Sequence, residues 1–443
     1  MNPEFQRNLW LEWTRPRLVS AFSALGALLA VAWLSNQQAF GSITANAALA
    51  CIVMFTLAWG AHLCGQSLHE ELRGRTWDQQ RMSALSPWRM TWGKLAGAPA
   101  VAWACGGVAA LVYLLSEPAS DAWWMLLALA AAAIGTHASA LIGELLLAQR
   151  GQQAGLPVAL RFAAVLGLWA AGRWIVDDLD GGQRWFGHAY PALPFNACVI
   201  VALAAWMVFG CYRLMCDELK VRTRPWALGA FIAFIALLYS GFAYEPGLPL
   251  AGWFARFASL AFGGALLAAY VCALAFTADP MIPHRLRGYA RRGEWRRVAE
   301  EAPLWTIACG YALPLALLTV LLGGTAGAAG PVRLDAASVP ALLLYATRDL
   351  AVFFGIACRA PRRGVEASQL IYLALAYGLV PLIGRLGGGD IVAHLLLPDP
   401  AKPMSAAAVL AGHALVALWW TRTMWRQRMA EGARAPGSGT RAA

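Results

Sequence analysis

Long apolar stretches recur from one end of the chain to the other, and short polar connections separate them. A helix needs about 20 predominantly apolar residues to cross the hydrocarbon core of a bilayer. Twelve stretches meet that length, with centres near residues 26, 54, 105, 134, 163, 204, 234, 266, 313, 347, 375 and 413. The pattern predicts an all-α polytopic membrane protein with about 12 transmembrane helices.

The composition supports the same class of protein. Of the 443 residues, 59% are hydrophobic and only 13% are charged, whereas soluble domains carry about 25% charged residues. A water-soluble enzyme is therefore excluded. A disordered chain is excluded as well, because such chains have low hydrophobicity.

The net charge of +11 would suggest a nucleic-acid partner in a soluble protein, but its distribution points elsewhere. Of the 35 Lys and Arg residues, 27 lie in the two termini and the connections after even-numbered stretches, and only 5 lie in the other connections. The basic side of a membrane protein faces the cytoplasm. We therefore expect two cytoplasmic termini, no nucleic-acid partner, and a place in the plasma (inner) membrane of a bacterial cell.

Short sequence matches recur in the same order in the two parts of the chain. Thr136-His137, for example, is matched by Thr347-Arg348 at an offset of 211 residues, and four other matches fall at offsets of 209 to 217. They predict a degenerate tandem repeat with parallel halves. The halves would cover residues 1–220 and 221–430, and a disordered tail would cover residues 431–443.

The connection over residues 65–94 has the most specific pattern. Trp77, Arg81, Ala84 and Leu85 recur at helical spacing, which predicts a short helix with one mainly apolar side. Ser86 is a typical N-cap and Pro87 a typical first helical residue, so another helix should begin there and lead into the third span. Such a projection suits docking into a groove on a partner. A solvated connection with chance periodicity is the alternative.

The residues of this connection resemble a known family. Acidic residues, an Arg-Gly-Thr-like stretch, a Ser-Pro turn and a Gly-Lys pair follow one another as Glu70, Glu71, Arg73, Gly74, Thr76, Leu85-Ser86-Pro87-Trp88 and Gly93-Lys94. This order resembles the coupling region of type-2 ATP-binding-cassette (ABC) transporter permeases. The N-terminus is similar too, because Asn2-Pro3 could cap an interfacial helix with Phe5, Leu9 and Trp13 on one side. The resemblance covers residues 1–220.

Two departures from the family pattern are visible. Arg75 intrudes before Thr76 in the first loop. The second cytoplasmic loop, residues 277–304, keeps Leu286-Arg287-Gly288 and Pro303 but has arginines in its middle. The second contact with a partner would therefore be degenerate.

The resemblance implies a transport subunit that is not itself an enzyme. The chain has no G-x-x-x-x-G-K-[ST] loop for nucleotide phosphates, so ATP and Mg would be bound by a cytoplasmic ABC ATPase dimer, and this chain would hold no cofactor. One chain could supply the whole pathway, or a second permease copy could join it. The residues expected to contact the ATPase are Glu70, Glu71, Arg73, Gly74, Thr76, Trp77, Arg81, Leu85, Ser86, Pro87, Arg287 and Trp295.

Ionisable residues inside predicted spans are candidates for a conduit, because they are costly in lipid and usually face a cavity or a partner. His137 and the pair Arg348-Asp349 lie near span centres at repeat-related positions, and Glu144 lies on the same helix face as His137. Glu144 could be a counter-charge or a gate residue. The alternative for Arg348 is that it pairs with Asp349 and only stabilises packing.

Other functions remain open at the level of sequence. An ion-coupled secondary transporter of the major facilitator type also has two six-span halves, and a membrane-embedded enzyme or an assembly scaffold is a third reading. No catalytic motif and no set of metal ligands is present in the sequence. The nine cysteines lie in or beside spans, where we expect them to act as small apolar packing residues. The substrate and the direction of transport are not predicted.

Overall fold

The computed structural model describes residues 2–83, 85–117, 121–149, 182–242, 244, 247, 249–275, 281–323, 336–359, 365–379, 382, 386 and 403–434. Seven helices in this part of the chain are long and apolar enough to cross a membrane, or eight if a pair bent by 52° counts as one span. The protein is therefore an all-α polytopic membrane protein. The predicted span near residue 163 lies outside the described residues.

The chain forms two compact units. Unit 1 comprises Met1–Arg184 and His188–Thr223, and unit 2 comprises Trp185–Gly187 and Arg224–Ala443. The boundary at Thr223 lies close to the predicted junction of the two halves, while the repeat itself stays a prediction.

Unit 1 contains eight helices among its described residues. They are α1 (Pro3–Glu12), α2 (Arg15–Ser35), α3 (Ser42–Arg73, with a π-helical part at Val53–Trp59), α4 (Trp77–Arg81), α5 (Pro87–Gly97), α6 (Ala100–Ser116), α7 (Ala122–Gln149) and α8 (Ala192–Glu218). Helices α5 and α6 are the bent pair. The core between α2, α3 and α6 contains Leu25, Phe55, Val101 and Cys105.

Two helix starts of unit 1 follow directly from local sequence. The Asn2 side chain accepts a hydrogen bond from the Glu4 backbone N–H, with Pro3 as the first residue of α1. Ser86 has an extended backbone and its side chain caps α5 in the same way, with Pro87 as the first helical residue. The predicted caps are confirmed, because both depend only on neighbouring residues.

Unit 2 is also helical in its described residues. Its helices are α9 (Trp226–Phe242), α10 (Leu250–Ala275), α11 (Ile282–Arg291), α12 (Trp295–Glu301), α13 (Leu304–Leu321), α14 (Val339–Arg359), α15 (Val365–Ala374, followed by a π-helical turn at Leu375–Leu379) and α16 (Pro403–Arg434). Ile232, Phe262, Ala265 and Ala312 form its largest described core. Gly355 allows α14 to approach α16, since a Cβ there would lie 2.2 Å from the Trp420 ring.

A short hairpin is the one β-structure in the described residues. Strands β1 (Gln183–Trp185) and β2 (His188–Tyr190) are joined by Phe186-Gly187, and both of these residues have positive φ. That pair of angles is typical of a two-residue hairpin turn. The sequence pattern did not predict this hairpin.

One local prediction was wrong. Helix α4 ends at Arg81, so Trp77 and Leu85 do not share one helical stripe. Pro87 holds Ser86 in an extended conformation, which ends any helix before it. In α1 the buried side chains are Glu4 and Asn8, and the interfacial role of its apolar side stays a prediction.

The nine cysteines are all free thiols, as expected for packing residues. Eight of them are buried or partly buried, and only Cys198 is exposed. No disulfide therefore constrains either unit.

Candidate functional site: a coupling elbow and two buried polar clusters

Residues 70–94 connect the end of α3 to α5, and we call the described part of this stretch the elbow. Helix α3 ends at Arg73, and the Thr76 backbone N–H then donates to the Glu71 carbonyl at 3.0 Å. Arg75 takes the left-handed conformation with φ of 56°, which is costly for a residue other than glycine. Arg75, which is the extra residue before Thr76 in the sequence, is therefore part of this turn.

A buried network of four charges ties the elbow to the N-terminal helix α1. Lys94 has no exposed surface, and its Nζ lies 2.6 Å from Glu71 Oε2 and 3.1 Å from Glu4 Oε1. Arg7 pairs with Glu4 Oε1 at 2.9 Å and also with Glu71. Two cations thus meet two carboxylates, so the network is neutral. We call Glu4, Arg7, Glu71 and Lys94 the elbow network.

Attraction to their partners keeps Glu4 and Arg7 ionised. Burial alone would raise the pKa of Glu4, but Lys94 and Arg7 together outweigh burial and hold that pKa below its ordinary value. Burial would lower the pKa of Arg7, but hydrogen bonding and attraction to Glu71 raise it, with a further contribution from Glu4. Both groups therefore carry full charge near neutral pH.

Two glycines allow α1 and α5 to approach closely. A Cβ at Gly93 would lie 2.5 Å from Glu4 Cγ, and one at Gly97 would lie 3.0 Å from Asn8 Cβ. The Asn8 side-chain amide also donates to the Gly93 carbonyl at 3.4 Å. Small residues four positions apart are a common device for close helix packing in membranes. The Gly93-x-x-x-Gly97 spacing was the sequence signal that could have revealed this contact.

Trp77 lies inside unit 1 rather than on a docking surface. Its side chain is only 2% exposed, its indole N–H donates to Glu218 Oε1 at 3.3 Å, and Lys94 Nζ lies 5.5 Å from its ring. Arg81 pairs with the same Glu218 carboxylate at 3.4 Å. Trp77 therefore packs inside unit 1, and Glu71 is buried there as well. Their contact with an ATPase stays a prediction.

The rest of the elbow leaves a surface that a partner could reach. Met82 at its tip is 81% exposed. Among the predicted coupling residues, Leu85, Pro87 and Arg81 are half-buried, and the exposed ones are Glu70, Arg73, Gly74, Thr76 and Ser86. The available docking surface therefore centres on the turn and on Met82.

The loop that contains α11 and α12 is built differently. Helices α11 and α12 bury no residue among themselves or against their unit. Trp295 is 67% exposed and Arg287 is exposed as well. Their ion pairs are local, as with Arg296 and Glu300 one helical turn apart at 2.8 Å.

His137 is a buried, hydrogen-bonded residue of unit 1. Its Nε2 lies 2.8 Å from the Thr56 carbonyl, so Nε2 must donate. Thr56 belongs to the π-helical part of α3, where the backbone hydrogen-bond pattern is altered. Gly60 leaves space for the His137 imidazole, since a Cβ at position 60 would lie 2.4 Å from Nε2. The Trp103 ring packs edge-on against the imidazole, with 5.3 Å between the ring centroids.

Glu144 has a different partner from those the sequence suggested. It is 1% exposed in α7, and its Oε2 lies 3.4 Å from Nδ1 of His69 in α3. The pair links two helices that pack along their length. The structure thus adds His69 as a partner of Glu144, and the role of Glu144 as a counter-charge or gate residue stays a prediction.

Asp349 of unit 2 is fully buried and accepts four hydrogen bonds. Arg348 Nε donates to Oδ1 at 2.8 Å and Tyr372 to Oδ1 at 2.6 Å. Tyr270 donates to Oδ2 at 2.7 Å, and Tyr377 donates to the same oxygen. We call these five residues the Asp349 cluster. The predicted pairing of Arg348 with Asp349 is confirmed, and the three tyrosines are an addition that the sequence reading missed.

The Arg348 guanidinium lies against two aromatic rings. Its Cζ is 4.9 Å from the ring centroid of Tyr345 and 5.3 Å from that of Tyr377. Such contacts favour a cation in a site from which water is excluded. The described residues hold no group of three or more side chains that could bind a metal ion.

We compared the chain with known protein families, proteins and structures. No protein-family model, curated protein or solved structure matches the chain. Function must therefore be argued from the residues themselves.

Proposed function

We propose that the chain is the membrane-spanning permease subunit of an ABC transporter, which moves its substrate with ATP hydrolysed by a separate cytoplasmic ATPase dimer. In this proposal the chain crosses the inner membrane of a bacterium 12 times, and both termini are cytoplasmic. The observation that carries the proposal is the elbow. It combines a buried charge network with an exposed tip.

A loop that couples ATP hydrolysis to helix movement must be firmly attached to the helices it moves. The elbow network fastens residues 70–94 to α1 and α5 through buried ion pairs, and removing one member of such a pair is strongly destabilising. Movement imposed on the tip would therefore reach α3 and α5.

The elbow tip is the place to test the proposal. Met82→Asp places a charge on the most exposed apolar side chain of the loop, where a desolvated carboxylate would weaken a protein interface strongly. We expect the variant to fold but to lose a co-purifying protein that contains a phosphate loop and hydrolyses ATP. Met281→Asp, at an exposed methionine beside the second loop, is the matched control and should retain that partner.

A second candidate, the ion-coupled secondary transporter, is favoured by one observation. Asp349 is a buried carboxylate in an apolar helix, and such residues often carry protons or ions in transporters. Proton or sodium uptake by proteoliposomes that contain only this chain, lost in Asp349→Asn, would favour this candidate. It would overturn the ATP-driven proposal.

A further inference from the structure

The Asp349 cluster contains more hydrogen-bond donors than acceptors. A carboxylate offers about four lone-pair sites, and Asp349 fills them with Arg348, Tyr270, Tyr372 and Tyr377. Its acceptor capacity is therefore used up. A further donor in the cluster must therefore use a phenol oxygen or an acceptor from elsewhere.

Arg348 supplies such a donor. Its Nη2 is buried and has no hydrogen-bond partner in the part of the chain that the structure describes, although the whole residue is more than nine-tenths buried. Burying a charged donor without a partner is costly. Tyr270 and Tyr377 both donate to Asp349 Oδ2, so this oxygen has no lone pair left for Nη2.

The surroundings of Arg348 limit how an acceptor can reach it. Tyr345 and Tyr377 lie against the guanidinium, and Nε is engaged by Asp349. The Nη2 edge is what remains. The planar guanidinium fork is matched best by carboxylate and phosphate oxygens.

We propose that the Asp349 cluster is a ligand site in which Arg348 Nη2 binds a carboxylate or phosphate oxygen of a small molecule or lipid. The three phenols stabilise the Asp349 charge, so the guanidinium is free to share its remaining donors with the ligand. The site lies within unit 2 and does not require an ATPase partner. The proposed ligand site can therefore be tested independently of the proposed transport function.

Thermal melting of the detergent-purified full chain tests the proposal. Inorganic phosphate and acetate are titrated at constant ionic strength against chloride, and phosphatidylglycerol is titrated in the same detergent. A ligand that binds only the folded chain raises the melting temperature in a saturable way. We expect saturation with at least one of these three probes.

Two conservative variants assign the effect to Arg348. Arg348→Lys keeps the charge beside Asp349 but removes the planar fork, and should weaken apparent affinity by about tenfold. Tyr377→Phe frees an Asp349 oxygen to accept from Nη2, so the ligand must compete with it, and affinity should fall roughly two- to tenfold. Arg359→Lys, at the exposed end of the same helix, is the matched control and should bind like the wild type.

Each outcome decides the question. Saturation by phosphate or acetate supports a soluble ligand, and saturation by phosphatidylglycerol alone supports a lipid headgroup. Absence of a saturable effect with all three probes would overturn the site. Equal affinities in the wild type and Tyr377→Phe would overturn it too, even if Arg348→Lys did not fold.

Discussion

The elbow and the loop that contains α11 and α12 use charge in opposite ways. In the elbow, Lys94 and Glu71 are buried and hold α1 against α5. At the start of α12, Arg297 and Glu294 pair at 2.8 Å with both side chains partly exposed. Two loops rich in charged residues can therefore differ in whether those charges are buried or exposed. Buried charges fix the position of a loop, whereas exposed pairs leave that position unconstrained, because surface ion pairs contribute little to stability.

The largest expected difference between the loops comes from removing one cation. Lys94→Ala strands the carboxylates of Glu4 and Glu71 in a buried site, and should cost about 3–5 kcal/mol in free energy of unfolding. Arg297→Ala removes the partly exposed ion pair with Glu294 and should leave the free energy of unfolding nearly unchanged. Thermal and denaturant melts of the detergent-purified variants measure both. Similar losses in the free energy of unfolding for the two variants would contradict the difference proposed between the two loops.

A smaller difference is expected from adding one methyl group to a glycine in each loop. Gly93→Ala drives a Cβ to within 2.5 Å of Glu4 Cγ, and overpacking of this kind costs about 1–3 kcal/mol. At Gly288 in α11 the nearest atom to such a Cβ, in Arg292, is 3.7 Å away, so alanine should be neutral or stabilising through helix propensity.

Hydrogen exchange of α1 amides checks where the Gly93 effect acts. Faster exchange in α1 is expected for Gly93→Ala, because α1 packs on α5 at that glycine. Unchanged exchange in α1 together with a full loss of stability would show that the damage lies elsewhere.

Acid should weaken the elbow network through Glu4. Its pKa is held below the ordinary value by Lys94 and Arg7 against the effect of burial, so it stabilises the fold above the ordinary carboxyl pKa. That contribution is lost as the pH falls through the lowered folded-state pKa. Melting temperature against pH should therefore show a wild-type advantage over Glu4→Gln at neutral pH that shrinks in acid.

The second loop supplies the contrast for the acid experiment. Hydrogen bonding from Arg292 lowers the pKa of Glu294 there as well, but this carboxylate is solvated and added salt screens its interactions. Glu294→Gln should leave the melting curve nearly unchanged at every pH. An acid effect in Glu294→Gln as large as that in Glu4→Gln would contradict the role given to burial.

The sequence predicted features that depend on neighbouring residues. The caps at Asn2 and Ser86 need only a polar side chain followed by a proline. Eleven of the twelve predicted span centres fall within described helices, although only seven or eight of these helices are long and apolar enough to cross a membrane. Helix α9 is shorter, with 17 residues.

The candidate sites were harder to predict because they join distant residues. Glu4 and Lys94 meet only after α1 has packed on α5. Trp77 looked like a docking residue because helical spacing does not show which side of a loop faces its own domain. Tyr270 and Tyr377 lie in different helices from Asp349, so nothing in the sequence near Asp349 indicated them.

The smallest effect is expected at Trp295. This side chain is 67% exposed and helix α12 buries no residue, so Trp295→Ala should change the free energy of unfolding by less than about 0.5 kcal/mol. Trp77→Ala in the elbow is the counterpart, and removing that buried ring should cost about 3–5 kcal/mol. Melts of both variants measure the contrast, and co-purification of the proposed ATPase adds a second readout. If Trp295→Ala keeps its stability but loses a partner that the wild type retains, the second loop is a docking surface as well.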